Sequence, residues 1–380
     1  MKKISKINFK ITDNDLLKFA VALMCISGML QSSAVFESWT IVINGLKYMV
    51  PVIGAFIVFL RRNTETRLVY IIKSILISGI ILLTCVLTQD YSFLLVCIIL
   101  VLSKTLNINE LIRISLNVLV VFSVIQIMLW VLNCFINLGY PVYYNETEKR
   151  ISFLFIHPNI AALKMGWGIV DYVWLKWDNL KNKDIIGSFI ITILIYITTK
   201  ADSCIIFLFF LFMVVVRRFV VVKKITILFS KYCWFIFGAF SYFMADLYMN
   251  AGKWTNIIRQ LDLLFSRRFA MSYLAIKNNG MSVIGQTISM KHDWEDTLFH
   301  FGDYTIDSLY IYFFVCIGVV YFALIGIGFI QLAKYKNYKV ALIVVIFSLF
   351  GMIEVHCLYL SNCFVLLLLK YTIFKQKRIE

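Results

Sequence analysis

Long apolar runs alternate with short polar, mostly basic, interruptions from one end of the chain to the other. Runs of roughly 18–22 residues are long enough, as α-helix, to cross a hydrocarbon core of about 30 Å. They are continuous, whereas a transmembrane barrel needs short segments of alternating hydrophobicity. The pattern predicts helices at Leu16–Phe36, Trp39–Leu60, Leu68–Thr88, Tyr91–Leu106, Ile112–Phe135, Ile160–Trp177, Ile185–Thr199, Ser203–Val222, Ile225–Tyr248, Ile306–Ile330, Val340–His356 and Leu358–Phe374. The expected fold is all-α: a polytopic membrane protein of about twelve transmembrane helices, forming a single integral membrane domain over residues 1–380.

The polar interruptions orient these helices. Lys2, Lys3, Lys6 and Lys10 precede the first run, Arg61, Arg62 and Arg67 follow the second, and Lys104 and Arg113 follow the fourth. Lys176, Lys181 and Lys183 follow the sixth, Arg217, Arg218, Lys223 and Lys224 surround the end of the eighth, and Lys334, Lys336 and Lys339 follow the tenth. Lys375, Lys377 and Arg378 come last. With about twelve crossings all these groups fall on one side, which the positive-inside rule makes cytoplasmic. The expectation is a multi-pass protein of the cytoplasmic membrane with both termini cytoplasmic. Two long segments then face outward, 137–159 and 250–305, the second far too long for a simple turn. Prolines are rare, and Pro141 and Pro158 bracket the first of these loops.

Composition sharpens this picture. The chain is 61% hydrophobic and 15% charged, more apolar and less charged than an ordinary soluble domain. A net charge of +16 would suit a polyanion, but its distribution is the one that orients membrane helices, so no nucleic-acid partner is expected. None of the nine cysteines forms a CxxC pair, and Cys85, Cys97, Cys204, Cys233 and Cys316 lie in apolar runs. They read as buried apolar residues, not as a disulfide framework or metal site. The basic start, Met1-Lys-Lys-Ile-Ser-Lys, leads into a long run without a small-residue cleavage site, so the first helix reads as retained.

Candidate chemistry concentrates in Arg150-Ile-Ser-Phe-Leu-Phe-Ile-His157-Pro158-Asn159, at the outer end of the sixth helix. Lys149, Arg150, Lys200, Lys253, Arg259, Arg267, Arg268, Lys277 and Lys291 all fall on the outer face. Long loops escape the orienting rule, which accounts for Lys253 or Lys291, but accounts less well for Arg150, beside a segment that returns to the membrane. Guanidinium groups match phosphate oxygens, and cationic groups stabilise the charge on a departing diphosphate. His157 is a candidate general base at neutral pH. It is equally placed to position a helix start, with Pro158 in the first turn and Asn159 satisfying free backbone groups.

Other polar clusters carry less. His292-Asp-Trp-Glu-Asp296, with His300 and Asp303, contains metal-ligand types but no metal-site spacing, and reads as a solvated acidic segment. Neither a metal nor another cofactor is expected. Asp13-Asn14-Asp15 reads as a helix start. Lys47, Lys164 and Asp171 lie inside spans, where ionisable groups usually face a bundle interior or cavity. Glu354 and His356, near the outer end of the eleventh helix, point to a cavity open to the outer face.

Taken in order, these segments resemble the O-antigen and capsular polysaccharide polymerases of the Wzy type, within the wider O-antigen ligase-like group of membrane glycosyltransferases. Arg150 to Asn159 is similar to the family's Arg-x-Ser-Phe-Gly-Phe-x-His-Pro-Asn segment, with Leu154 at the glycine position. Thr198 to Ser203 stands where members have a Thr-x-Ser-Arg-Ser-like turn, with Lys200 near the usual Arg. Ser266-Arg267-Arg268-Phe269, then Gly280 and Ile284-Gly285, resembles the Gly-Arg…Phe-Gly part of the large loop. Ile306-Asp307-Ser308-Leu309-Tyr310 with Gly318 resembles an Asp-Asn-x-Tyr…Gly segment, and Glu354 with Asn362 a late Glu…Asn pair.

The resemblance implies transfer of a growing glycan from undecaprenyl diphosphate to the non-reducing end of a new lipid-linked repeat unit, without a metal. Arg150, Arg267 and Arg268, helped by Lys200, would hold the diphosphate, and His157 would activate or orient the acceptor hydroxyl. Asn159, Asp307, Tyr310 and Glu354 would contact other parts of the substrate. The partners implied are the undecaprenyl diphosphate-linked oligosaccharide, the lipid bilayer, and a chain-length regulator and flippase of the same pathway. Two alternatives stay open: a ligase that transfers to another acceptor, and a lipid-linked oligosaccharide flippase. A flippase should show repeated halves and Gly/Pro-interrupted helices near the midplane, and the sequence displays neither.

Overall fold

The computed structural model describes residues 12–61, 82–88, 91–144, 147–250, 252–288 and 305–375, together with Gly79. Most of the expected helix Leu68–Thr88 and the whole acidic segment His292–Asp296, with Lys291, His300 and Asp303, lie outside the described residues. Among those described the chain is helical, with one isolated antiparallel bridge, between Ser33 and Phe155.

The first helix, α1, is Asp13–Gln31. Thr12 caps it: its Oγ1 accepts from the Asp15 amide at 3.2 Å, and the Asp15 carboxylate accepts from the Thr12 amide at 3.1 Å. This reciprocal box satisfies two amides that a helix start leaves free, so Asp13-Asn14-Asp15 is a helix start, as expected. There follow α2 Thr40–Arg61, α3 Tyr91–Leu102, α4 Ile108–Ile136, α5 Pro158–Lys176 and α6 Asn182–Thr199. The next are α7 Ser203–Val215, α8 Val220–Ser230, α9 Cys233–Asn250, α10 Thr255–Leu264 and α11 Arg268–Asn279. The last are α12 Leu309–Tyr312, α13 Val319–Ala333, α14 Tyr338–Phe350 and α15 Lys370–Ile373.

Among the described residues three helices are long and apolar enough to cross a membrane: α2 over Thr40–Val58, α4 and α6. Each turns most of its apolar surface outward, as a lipid-facing helix does. The helix between α4 and α6 is the opposite. In α5, Leu163, Trp167, Val170, Val173 and Trp174 are all essentially inaccessible, and the helix packs on α4, α6 and α7. Trp234 centres a second nest, against Phe322, Phe347, Phe329 and Tyr310. In lipid such contacts act through close packing, because the bilayer is as apolar as the side chains.

Five expected helices differ from the structure, the simplest being Val340–His356, which ends at Phe350 and leaves Glu354 and His356 beyond it. Ser203–Val222 ends at Val215, where Arg217 turns back to donate to the Trp177 carbonyl at 3.0 Å and covers the Trp177 ring. Ile225–Tyr248 is divided into α8 and α9 by a turn at Lys231 and Tyr232. Ile306–Ile330 is broken by a π-turn, Phe313–Ile317, that ends on Gly318 at φ +119°. The carbonyls freed by this break are occupied by the large loop. The Ser282 amide donates to Phe314, and the Gln286 amide and side chain donate to Cys316 and Val315. Irregular backbone inside an apolar bundle persists only when it is satisfied in this way. Finally, Leu358–Phe374 is not one helix but two 3₁₀ turns, Val355–Leu358 and Val365–Leu369, followed by α15.

Gly318 is irreplaceable on two counts. Its backbone lies in a region that side chains rarely adopt, and a Cβ there would meet the Val283 carbonyl oxygen at 2.5 Å. Gly318→Ala is therefore expected to lower stability by about 1–3 kcal/mol from the backbone alone. Chemical unfolding of the purified variant measures it, with Gly187→Ala as a control in regular helix, where an added Cβ meets nothing within 4 Å.

Candidate functional site

The stretch 150–157 is a braced loop that feeds α5. Its backbone is tied to α1 and α6: Ala34 donates to the Leu154 carbonyl at 2.9 Å, Ile156 to the Ser32 carbonyl at 3.0 Å, and Ile151 to the Thr198 carbonyl at 2.9 Å. Phe153 and Leu154 have φ of +51° and +62°, in the left-handed region that non-glycine residues avoid. Leu154 and Phe155 are nonetheless buried, so packing holds a backbone that glycine would adopt freely.

Arg150 closes this loop. Its Nε donates to the Thr199 carbonyl at 2.9 Å and its Nη2 to Asn159 Oδ1 at 2.8 Å. Glu148 is 4.0 Å from the remaining nitrogen, Nη1. Asn159 thus orients Arg150 from the first turn of α5. His157 is the N-cap of that helix, and its Nδ1 accepts from the Asn159 amide at 3.1 Å. Burial, and then the Arg150 charge, hold its pKa below the ordinary 6.5, so the ring is neutral at pH 7. A neutral ring that accepts at Nδ1 carries its proton on Nε2. In this arrangement His157 offers a donor to a ligand, not a base. The Tyr144 ring packs edge-on against it, with centroids 4.6 Å apart.

A second group approaches from the large loop and the α14 end. Arg268, at the start of α11, is 7% exposed. Its Nε donates to the Ile353 carbonyl at 3.0 Å and lies 3.8 Å from Asp307 Oδ2; its Nη1 donates to the Phe265 carbonyl. The Leu309 amide donates to the Gly351 carbonyl at 2.8 Å, so Asp307 and Glu354 extend from the two sides of one tied turn. Glu354 lies beyond α14, with its side chain 14% exposed, and accepts from the His356 amide at 3.1 Å. Burial raises its carboxyl from 4.5 to about 7; the His356 amide opposes this, and the Asp307 charge adds to it. His356 Nδ1 sits 3.6 Å from Glu354 Oε1, too far for a hydrogen bond, and has no hydrogen-bond partner among the described residues. Burial, and then Lys164, hold His356 below its ordinary value. The two groups share one field, since the His157 ring feels Arg150, Asp307, His356 and Arg268.

The structure thus gathers Arg150, His157, Asn159, Arg268, Asp307 and Glu354. It turns one expected site residue, Tyr310, away from the group, and two others, Lys200 and Arg267, stand at its edge beside Thr199 and Arg268. Tyr310 is fully buried against Trp234, and its hydroxyl donates to the Ser348 carbonyl at 2.6 Å, so it is a packing residue. Lys200 ends α6 at φ +50° and its ammonium donates to the Glu148 carbonyl. Arg267, at φ +62°, stands exposed beside the buried Arg268. The turn bearing Lys200 and the loop bearing Arg267 do meet, through Ser266 Oγ on Asp202 at 3.2 Å. Sequence reasoning left Lys164, His356 and Asn362 out of the site. The signals were present: a lysine inside a span, and a His two residues after Glu354.

The cap assignment has a direct consequence. His157→Ala is expected to lower stability by about 0.5–2 kcal/mol, as loss of an N-cap does, and His157→Asn to restore most of it. Unfolding of the two variants checks this; equal stabilities would remove the cap role.

Neither a family model, nor a curated protein, nor a solved structure matches this chain.

Proposed function

We propose that the protein is a membrane glycosyltransferase that polymerises a surface polysaccharide such as a capsule, O-antigen or exopolysaccharide. It would transfer the growing glycan from undecaprenyl diphosphate onto a new lipid-linked repeat unit. The observation that carries this reading is a half-buried carboxyl group, Glu354, in one charged cluster with two oriented guanidinium groups, Arg150 and Arg268, at one end of an apolar helical bundle. The proposed topology has about twelve crossings, both termini cytoplasmic and the cluster on the outer face of the cytoplasmic membrane.

Each residue has a part that its environment supports. Arg150 and Arg268 bind diphosphate oxygens and stabilise the charge that develops there. His157 donates from Nε2 to a substrate oxygen, and Glu354, not His157, takes the proton from the acceptor hydroxyl. As that oxygen bonds to the anomeric carbon, the bond from this carbon to the diphosphate breaks. The lipid diphosphate leaves with the electron pair. Asn159 positions Arg150, and Asp307 holds Arg268.

An apolar groove of about 680 Å³ supports a lipid substrate. It runs between α4, α5 and α6 and is lined by Leu116, Leu119, Val124, Ile191 and Leu194, with Phe153 and Thr198 at the end next to Arg150. A prenyl chain in this groove would bring its headgroup to the arginines.

The test is elongation by purified protein in liposomes supplied with native lipid diphosphate-linked repeat units. A ladder of products is expected. Translocation of the units without a ladder would establish the flippase alternative, and transfer of single units to another acceptor the ligase.

A further inference from the structure

Beneath the cluster lies a separate small cavity of about 150 Å³. It is a half-open cleft between the end of α1, the first two turns of α5 and the unwound segment after His356, with Gly28, Ile160, Lys164, His356, Ser361 and Asn362 among its lining residues. The walls meet closely: a Cβ on Gly28 would fall 2.3 Å from the Ser361 side chain. Lys164 is 1% exposed. Its ammonium donates to Asn362 Oδ1 at 2.7 Å and to the Gly28 carbonyl at 3.2 Å, and Asn362 in turn donates to the His356 carbonyl at 2.7 Å.

Among the described residues Lys164 has two neutral acceptors and no counter-ion, so an anion in the cavity would hold its amine in the charged form, with one N–H to spare. Among the described residues no carboxylate pairs with Lys164, and none lines the cavity. The nearest acidic residue along α5, Asp171, lies seven positions on, about 10 Å away along the helix. A buried cation without an anion is costly. The same cavity is lined by a hydroxyl, Ser361, and by the imidazole of His356. Cation, imidazole and hydroxyl around a void of this size form a receptor for a small oxyanion.

We propose that this cavity binds one phosphate group, with Lys164 as its counter-ion and His356 and Ser361 as neighbouring hydrogen-bonding groups. The phosphate is that of a lipid headgroup or a free phosphate or diphosphate. The site rests on the preceding reading only for the identity of the lipid, since binding is measured without any transfer reaction.

The experiment follows the thermal midpoint of purified full-length protein in detergent as ligand is added, because a ligand that binds only the folded state raises the midpoint saturably. The probes are inorganic phosphate, inorganic diphosphate and a short-chain prenyl diphosphate, each against chloride at matched ionic strength. Wild type is expected to respond saturably to at least one phosphate probe and not to chloride. A response to the prenyl compound alone identifies a lipid headgroup, and a response to the inorganic probes identifies free phosphate as sufficient. Lys164→Met should weaken that response about tenfold or more, as loss of a charged hydrogen bond does. A merely structural lysine would lower the starting midpoint and leave the response intact. Ile160→Phe narrows the cavity while keeping the Lys164 amine, should weaken the response to inorganic phosphate as Lys164→Met does, and decides the matter if Lys164→Met does not fold. The proposal is overturned by no saturable response in wild type, or by wild-type responses in the variants. Phosphate binding by a protein that makes no ladder would overturn only the polymerase.

Discussion

Arg150→Ala is expected to abolish elongation, with a loss of about 10²–10³-fold or more, the scale seen when an oriented donor to developing charge is removed. The protein should remain inserted and folded. Arg150 contributes two hydrogen bonds to its surroundings, to the Thr199 carbonyl and Asn159, and both partners can be re-satisfied by water at a partly exposed site. Arg150→Lys should not rescue activity. An ammonium keeps the charge but cannot hold Thr199 and Asn159 while presenting a further N–H to phosphate. The measurement is the initial rate of product formation in liposomes, alongside the amount of folded protein recovered. Near-normal elongation by either variant would remove Arg150 from the reaction.

Glu354→Gln carries the second large effect. A general base contributes about 10²–10⁴-fold, and the amide keeps shape and polarity while losing the ability to accept the hydroxyl proton. The pH profile gives an independent check. Burial raises the Glu354 carboxyl to about 7, and only its ionised form is a base. Wild-type activity should therefore climb through pH 7 and level off above it, whereas the variant should lack this limb. Stability should move in the opposite sense. The folded state holds this proton more tightly than the unfolded chain, so the stabilisation it gives is fully present below about 4.5 and is lost as pH rises to about 7. Glu354→Gln should flatten that part of the stability curve.

Much of the site was legible because its signals are local. Pro158 can only open a helix, so His157 falls at the cap and Asn159 in the first turn, where it meets Arg150 nine residues back. Leu154 stands at φ +62°, a backbone that glycine adopts freely and leucine does not, which no periodicity in the sequence announces. What failed was nonlocal. Hydropathy saw apolar continuity through Gly318 and through Tyr359 to Leu369, but not that a loop from residues 282–286 occupies the first break. Nor did it show that Lys164 and Asn362 tether the second segment. Tyr310 follows Asp307 at a spacing that suggests a shared site, yet helical rotation turns it into the Trp234 nest. A position in sequence fixes neither the direction of a side chain nor the element that packs against it. Lys164 shows the same limit from the other side, since its cavity is assembled from three elements far apart in the chain.

The central claim is transfer from a lipid diphosphate at the Arg150–Glu354 cluster, and a single-turnover reaction tests it most directly. Purified protein is mixed with a labelled lipid diphosphate-linked repeat unit, and both the doubled product and the released lipid diphosphate are counted. One released lipid diphosphate for each new glycosidic bond is expected with wild type, and neither product with the Arg150→Ala/Glu354→Gln double variant. No doubled unit from folded wild type, or equal yields from both proteins, would contradict it.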